Sequence, residues 1–529
     1  MRLTILFAVL LCLHSADGAD VTYNQLAHAA EHPAEWLTYW GDYHATRFRN
    51  LKQIDDHNVA QLRLAWLFQT GASGSSETVP LVANGVMYFT TPESGIDAVD
   101  ARSGRQLWHY QYRIPKEAKY CCGNLNRGLA ILGRRLYMLT PDTRLLAIDT
   151  RNGSLLWNVE VAPSTGGAYG GTEAPLIVKD KVVLGTAAGD YGIRGFVDAY
   201  DAETGKRVWR FWTIPAPGEP GNESWGGDSW KHGGGATWMT GTYDPALNLI
   251  YWGIGNPAPD LYGAIRPGDN LYSDSVVALD ADTGKLKWYF QFTPHDVYDY
   301  DATETPMLLD LPWHGKTRRL LLQANRNGFF YLLDRETGKF LQAKAFVKQT
   351  WAKGIDSKGR PIRVDNLDPT SKGTVVCPQC AGGTNWMAPS YSPLTRLFYF
   401  NVREGCDIFF AKPPVYKEGT SYWSTSIRAA AMEHQPGRVT AMDPLTGETK
   451  WKFPLYSSPW AGTLATSGNL VFAGDEDGYL MALQADTGKL LWRVNTGSRL
   501  VTSPITYELD GKQYITMPSG NVVLTFSLP

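Results

Sequence analysis

The sequence predicts an all-β protein, an eight-bladed β-propeller whose blades dock through tryptophan. Three observations lead there. A strand–turn–strand motif recurs eight times, nearly all copies end in Trp, and the composition is that of strands and tight turns. The 529 residues include 53 Gly, 31 Pro, 19 Trp and 27 Tyr, a balance that suits short strands better than helix bundles. Evenly spaced self-similarity marks a repeat architecture, and hairpins in this number suit radial blades.

The chain opens with "MRLTILFAVLLCLHSADGAD". One Arg, an apolar run from Leu3 to Leu13 and then small residues read as a secretory signal over residues 1–19, cleaved near Ala16 to Ala19. The apolar run is too short to span a bilayer, and no later stretch reaches that length. Residues 20–529 are therefore expected to form the exported propeller domain, without a membrane span. The 50 basic and 52 acidic residues give a formal charge of −2, which offers nothing to nucleic acid or to an anionic membrane.

The repeats follow in order. A degenerate first copy, "NVAQLRLAW", ends at Trp66. Then come "AVDARSGRQLW" ending at Trp108, "AIDTRNGSLLW" at Trp157, "AYDAETGKRVW" at Trp209 and "ALDADTGKLKW" at Trp288. The later copies are "LLDRETGKFLQ" at Gln342, "AMDPLTGETKW" at Trp451 and "ALQADTGKLLW" at Trp492. An alternating apolar strand ends in Asp, Gly takes the positive φ of the turn, and a second strand leads to the large aromatic. The Trp is expected to pack between neighbouring blades, where a flat side chain buries much area. The longest gaps between copies hold "PAPGEPGNESWGGDSWKHGGG" and "WAKGIDSKGRPIRVDNLDPTSKG", which read as loops on one face.

Two kinds of residue carry chemistry. Cys121 and Cys122 are adjacent in "KEAKYCCGNLNRG". Outside the leader the cysteines are these two, Cys377, Cys380 and Cys406, an odd count that leaves at least one thiol unpaired. "CPQC" is followed by Ala381 rather than His and has no second ligand pair nearby, so neither c-type haem nor zinc fits. Oxygen donors lie in "GIGNPAPD", with Asn256, and in "TPHDVYDYDATET", with Asp299 and Asp301. Two apart on an extended strand, these aspartates point the same way, and like charges held together raise one pKa unless a cation separates them; for an isolated D-Y-D, solvated turn acids are the commoner case. Oxygen donors suit Ca²⁺ or a trivalent ion. No G-x-G-x-x-G dinucleotide fingerprint and no nucleophile elbow is present.

Together these stretches resemble the quinoprotein alcohol dehydrogenases, the methanol and ethanol dehydrogenase type that use pyrroloquinoline quinone (PQQ). The resemblance runs over "CCGNLNRG", "GDYGIRGFVDAYDAETGK", "HGGGATWMTGTYDP", "GIGNPAPD", "RPGDNLY", "TPHDVYDYD", "NRNGFFYLLDR", "GGTNW" and "PWAGTLATSGNLVFAGDEDG", and so over essentially the whole mature chain. It implies an eight-bladed propeller with the quinone on its axis. Position by position, it implies that a Cys121–Cys122 disulfide lies against one face of the quinone and Trp238 stacks on the other. Glu77, Arg127, Thr172, Asn385 and Trp460 match further quinone contacts. Arg326 matches the group at the reactive carbonyl edge, and Asp299 the catalytic base. Asn256 matches a metal ligand, and Cys377 and Cys406 a structural disulfide that leaves Cys380 as the spare thiol.

Two departures stand out. Where the family has Glu in a "GGEFG"-like turn, this chain has "AGDYG", so the metal-binding carboxylate is Asp190, one methylene shorter. Upstream, Ala187 replaces a small hydroxyl residue. Asp301 matches the Asp of lanthanide-dependent members, where calcium-dependent ones carry a small uncharged residue. Asp190, Asp299 and Asp301 sum to −3, which favours a lanthanide; Ca²⁺ is the alternative, as is an outer role for Asp301. The resemblance implies a periplasmic enzyme oxidising a primary alcohol to its aldehyde by hydride transfer to PQQ C5. Asp299 would take the hydroxyl proton, and a periplasmic cytochrome c would accept the electrons. A homodimer is one assembly open to it. Competing readings are a non-catalytic propeller scaffold, a quinoprotein oxidising a sugar or other polyol, and a degenerate enzyme that keeps only the fold.

Overall fold

A computed structural model describes residues 20–529 except 75, 164–168 and 431–436, so the expected leader, 1–19, lies outside the described residues. Among the described residues, seven antiparallel sheets have four strands and an eighth carries a fifth. They follow one another along the chain over 81–111, 130–160, 176–212, 242–291, 307–345, 390–454 and 464–495. The remaining four-stranded sheet joins the two ends: Arg63–Gln69 pairs antiparallel with Val522–Ser527. The short strand Phe48–Arg49 adds in parallel to Leu464–Thr466. No helix among the described residues is long and apolar enough to cross a membrane.

The repeat motif explains how sheet meets sheet. Trp108, Trp157, Trp209, Trp288, Trp451 and Trp492 each sit opposite an alanine on the partner strand, next to a register shift. A large ring opposite a small residue fills the layer without strain. Several of these indoles then reach the turn of the next repeat. Trp66 Nε1 donates to the Ala101 carbonyl (3.1 Å), Trp108 to Thr150 (2.8 Å), Trp209 to Ala281 (3.3 Å), Trp288 to Arg335 (3.2 Å) and Trp451 to Ala485 (2.9 Å). The turn glycine lies under the ring. At Gly488, for example, φ is +73° and a Cβ would stand 2.6 Å from Trp451. Glycine is needed there for both backbone and space. The copy ending at Gln342 departs: Gln342 faces Leu332, and its Nε2 is buried without a partner.

Two sequence expectations need correction. The segment 351–373 is not all loop, since Ala352–Ile355 pairs with Pro361–Arg363. The segment 215–235 does lack strands and holds two short 3₁₀ turns. The long interval inside the sheet at 390–454 also contributes to a separate three-stranded sheet, Thr374–Val376, Asp407–Phe410 and Ser426–Ala429. Second, Asp299 and Asp301 are not on a strand. Asp299 has φ +63°, in a bend where Asp296 accepts from the backbone N–H of Tyr298 (3.1 Å) and Tyr300 (2.9 Å). The bend, rather than a two-residue strand period, brings both carboxylates to one place.

Candidate active site

The residues singled out in the sequence come from ten separate stretches, yet twelve of the thirteen line one cavity of about 340 Å³. They are Glu77, Cys122, Arg127, Thr172, Asp190, Trp238, Asn256, Asp299, Asp301, Arg326, Asn385 and Trp460. The thirteenth, Cys121, is disulfide-bonded to Cys122 and packs with Ala187, Ala188, Ile193 and Trp238. The disulfide and Trp238 therefore border the same space. Leu125, Trp386 and Trp423 also line the cavity and were missed. Trp386 follows Asn385 in a motif already singled out, so the signal was there. Trp423 sits in an insertion with no motif.

One wall is aromatic and cationic. The Arg127 guanidinium lies 5.0 Å from the ring of Trp238 and 5.0 Å from that of Trp386, and pairs with Glu77 at 2.8 Å. Burial pushes the Glu77 carboxyl above its usual range, against the pull of Arg127. Thr172 holds this wall through its backbone: its carbonyl accepts from Arg127 N (3.0 Å), and its hydroxyl donates to the Trp238 carbonyl (3.3 Å). Asn385 caps its own segment, donating to the Ala381 carbonyl (3.0 Å) and accepting from Trp386 N (2.8 Å). Trp460 carries the Arg403 guanidinium at 3.9 Å.

A second part of the lining is acidic. Arg326, only 6 % exposed, bridges both aspartates of the bend: Nη2 to Asp299 Oδ2 at 3.1 Å and Nη1 to Asp301 Oδ2 at 2.5 Å. Burial alone would lower the Arg326 pKa, but Asp299 and Asp301 hold it well above its ordinary value. Asp301 Oδ2 also accepts from Trp238 Nε1 (3.1 Å), and Asp301 Oδ1 from Asn256 N (2.8 Å). Asp301 thus ties Arg326, Trp238 and the Asn256 backbone together. Gly255 permits this approach, since a Cβ there would stand 2.2 Å from Asp301 Oδ1.

Asp190 lies in the short turn Gly189–Tyr191. Burial first, and Asp301 second, push its carboxyl up to about 6. Burial pushes Asp299 well above the carboxylate range, with Asp301 and Asp190 adding to it and Arg326 opposing. Two further carboxylates, Asp260 and Asp274, are fully buried with no hydrogen-bond partner on either oxygen. The Asp260 pKa is raised by burial and then by Asp190 and Asp299. Such a concentration of uncompensated negative charge is costly without a cation.

These contents test what the site can hold. Buried Arg127 and Arg326 each leave an Nε without an acceptor, in a slot walled by tryptophans and a disulfide. That suits a flat aromatic anion bearing carboxylates and carbonyls. Asp190, Asn256 and Asp299 offer hard oxygen donors beside it. Among the described residues no three His, Cys, Asp or Glu side chains are already drawn together at metal-holding distance. Ligation by this set would use the Asn256 side chain and a closing of Asp190 and Asp299 about the ion. Elsewhere Cys377 and Cys406 form the second disulfide, and Cys380 is the free cysteine among the described residues.

Residues 36–344 match the family model described as "Glucose/ethanol/alcohol dehydrogenase, beta-propeller domain". Residues 435–527 match the model of the outer membrane protein assembly factor BamB. The quinoprotein alcohol dehydrogenase PedH of Pseudomonas putida is 38% identical over 97% of this chain and 92% of its own. Among solved structures, a europium-containing methanol dehydrogenase superposes with a TM-score of 0.91 at 32% identity, over 96% of this chain and all of that one. The quinohemoprotein alcohol dehydrogenase of Comamonas testosteroni gives 0.90 at 35% identity, over 96% of this chain and 82% of that one. BamB of Moraxella catarrhalis gives 0.50 at 16% identity, a likeness of fold alone.

Proposed function

The chain belongs to the PQQ-dependent quinoprotein alcohol dehydrogenases, and from that premise we propose how this member works. It is an enzyme that oxidises alcohols with PQQ. The more particular reading is a periplasmic dehydrogenase that converts a primary alcohol to its aldehyde and hands electrons to a cytochrome c. Its seven four-stranded sheets and its five-stranded sheet are the eight blades of one propeller domain, 20–529, and its leader, 1–19, is removed on export. A homodimer is a natural assembly for it.

The observation that carries this reading is the gathering of Asp299, Arg326, Trp238, Arg127 and Cys122 around one cavity from distant parts of the chain. Trp238 and the Cys121–Cys122 disulfide would hold the quinone between them. Arg127, Glu77, Thr172, Asn385 and Trp460 would fix its rim, and Arg326 its reactive edge. Asp190, Asn256 and Asp299 would hold the cation, with Asp301 adding a third negative charge. The quinone supplies the two-electron acceptor for the hydride that leaves the alcohol carbon, and the cation supplies Lewis acidity. Asp299 takes the hydroxyl proton as general base. Arg326 keeps Asp299 in place and presents positive charge where negative charge grows. Three carboxylates against one ion favour a trivalent lanthanide over Ca²⁺ by charge balance.

The test is reconstitution. Metal-free protein is loaded with PQQ and either La³⁺ or Ca²⁺, and dye-linked alcohol oxidation is followed. Activity with La³⁺ is expected to exceed that with Ca²⁺. Activity with Ca²⁺ alone overturns the choice of ion, and absence of bound quinone overturns the enzyme reading itself.

A further inference from the structure

We propose that Cys380, the free thiol among the described residues, is a positioning residue for the base: with Arg326 it holds Asp299 Oδ2, so that Oδ1 is the oxygen that receives the alcohol proton. The inference rests on the function proposed above.

Cys380 Sγ donates to Asp299 Oδ2 at 3.1 Å, and Arg326 Nη2 donates to the same oxygen at 3.1 Å. Two donors from different stretches thus converge on one carboxylate oxygen. A carboxylate held at one oxygen by a fixed guanidinium alone can still swing about that contact. A second donor fixes the plane of the group and leaves its other oxygen for a substrate hydroxyl.

The thiol is itself fixed, which an incidental contact would not require. Its backbone N–H donates to Asp407 Oδ2 (2.8 Å), and its carbonyl accepts from Arg326 Nη2 (2.9 Å). Two residues earlier, the Pro378 carbonyl accepts from the Tyr300 hydroxyl (2.6 Å), in the same bend as Asp299. Cys377, three residues before, is tied to Cys406 by a disulfide. The turn 377–380 is therefore fastened to the bend at two points, Tyr300 and the thiol's contact with Asp299, and held besides by Arg326, Asp407 and Cys406. A separate observation marks the same spot as a place for a ligand. Arg326 is 6 % exposed and lines the cavity, yet its Nε has no acceptor.

The experiment compares Cys380→Ala and Cys380→Ser in the quinone- and metal-loaded full chain. Both are read for kcat, KM, quinone absorbance and the isotope effect with an alcohol deuterated at the reacting carbon. A hydrogen bond to an ionised group is worth roughly tenfold or more in rate. The expected result is a kcat for Cys380→Ala about tenfold lower at unchanged KM and quinone content, with a changed isotope effect. Cys380→Ser, which can still donate, should recover to within about threefold of wild type. A Cys380→Ala enzyme with wild-type kcat overturns the proposal. So does a loss that serine does not rescue, or one that tracks loss of bound quinone. If wild type itself shows no quinone-linked turnover, the functional reading has failed instead.

Discussion

The outer seams and the central cavity handle buried polar groups in opposite ways. At most seams the indole N–H of one repeat finds the carbonyl of the next, as Trp451 does with Ala485 at 2.9 Å. In the cavity, Arg127 and Arg326 keep unpartnered Nε atoms, and burial and mutual repulsion raise the pKa values of Asp190 and Asp299. Satisfied polar groups and close packing stabilise a fold. Unsatisfied ones cost stability and persist where a ligand completes them. The seams are thus built for holding and the cavity for binding, and substitutions in the two regions should separate cleanly.

The largest separation is expected at Asp299. Removing a general base costs on the order of 10³-fold in turnover. Asp299→Ala leaves Arg326 paired with Asp301 at 2.5 Å, so the fold and the quinone site should survive. Dye-linked alcohol oxidation should fall by about that factor while quinone absorbance and thermal stability hold. Turnover within tenfold of wild type would remove Asp299 from its role. The converse case is Trp451→Ala. The ring is 9 % exposed and packs over Gly488. Its loss should cost about 3–5 kcal/mol of unfolding free energy, read from urea midpoints. Chemistry per folded, loaded molecule should not change. If kcat falls as well, seam and cavity are not independent.

The contrast also explains what could be read from the sequence. Each seam is made by one copy of a short motif meeting the next copy, so the Asp, the turn glycine and the Trp appear as repeated words, and strand order follows from them. The cavity is made by residues hundreds of positions apart. Cys121 and Cys122 drew notice because they adjoin, and most of the other site residues only through resemblance to a family. What stayed hidden has no local period: the bend that replaces the expected strand at Asp299, the hairpin inside 351–373, and the thiol of Cys380 reaching Asp299, 81 residues away. Trp423 is brought to the cavity by an insertion, and nothing in its neighbours announces that.

A smaller effect is expected from pH. Burial first, and Asp301 second, hold the Asp190 carboxyl up at about 6 in the folded protein, against its ordinary 3.8. A raised carboxyl binds its proton more tightly folded than unfolded, so its contribution favours folding at low pH and is lost as pH rises through about 4 to 6. The difference of roughly two units corresponds to about 3 kcal/mol at neutral pH. In metal-free protein, Asp190→Asn should therefore raise stability at pH 7 and leave it nearly unchanged at pH 4. Unfolding curves at the two pH values check this. Equal effects at both would show that Asp190 is not the strained group.

The smallest effect tests the one seam that breaks the rule. Gln342 stands where the other copies have Trp, and it faces Leu332 instead of Ala. A Cβ on the turn glycine, Gly447, would meet the Lys344 stem at 2.3 Å and Gln342 Nε2 at 3.5 Å. The aliphatic stem of Lys344 thus already lies against the turn glycine, where an indole lies elsewhere. What is wrong at this seam is polarity, because Gln342 Nε2 is buried without a partner. Gln342→Met keeps the unbranched shape and removes the orphaned amide, and should stabilise by about 1 kcal/mol. Gln342→Trp restores the repeat motif but adds a ring opposite Leu332, and should cost about 1–3 kcal/mol by overpacking. Urea midpoints of both variants decide it. If the Trp variant gains stability, this seam has room after all, and the partner residue across the strand does not set which side chain ends the repeat.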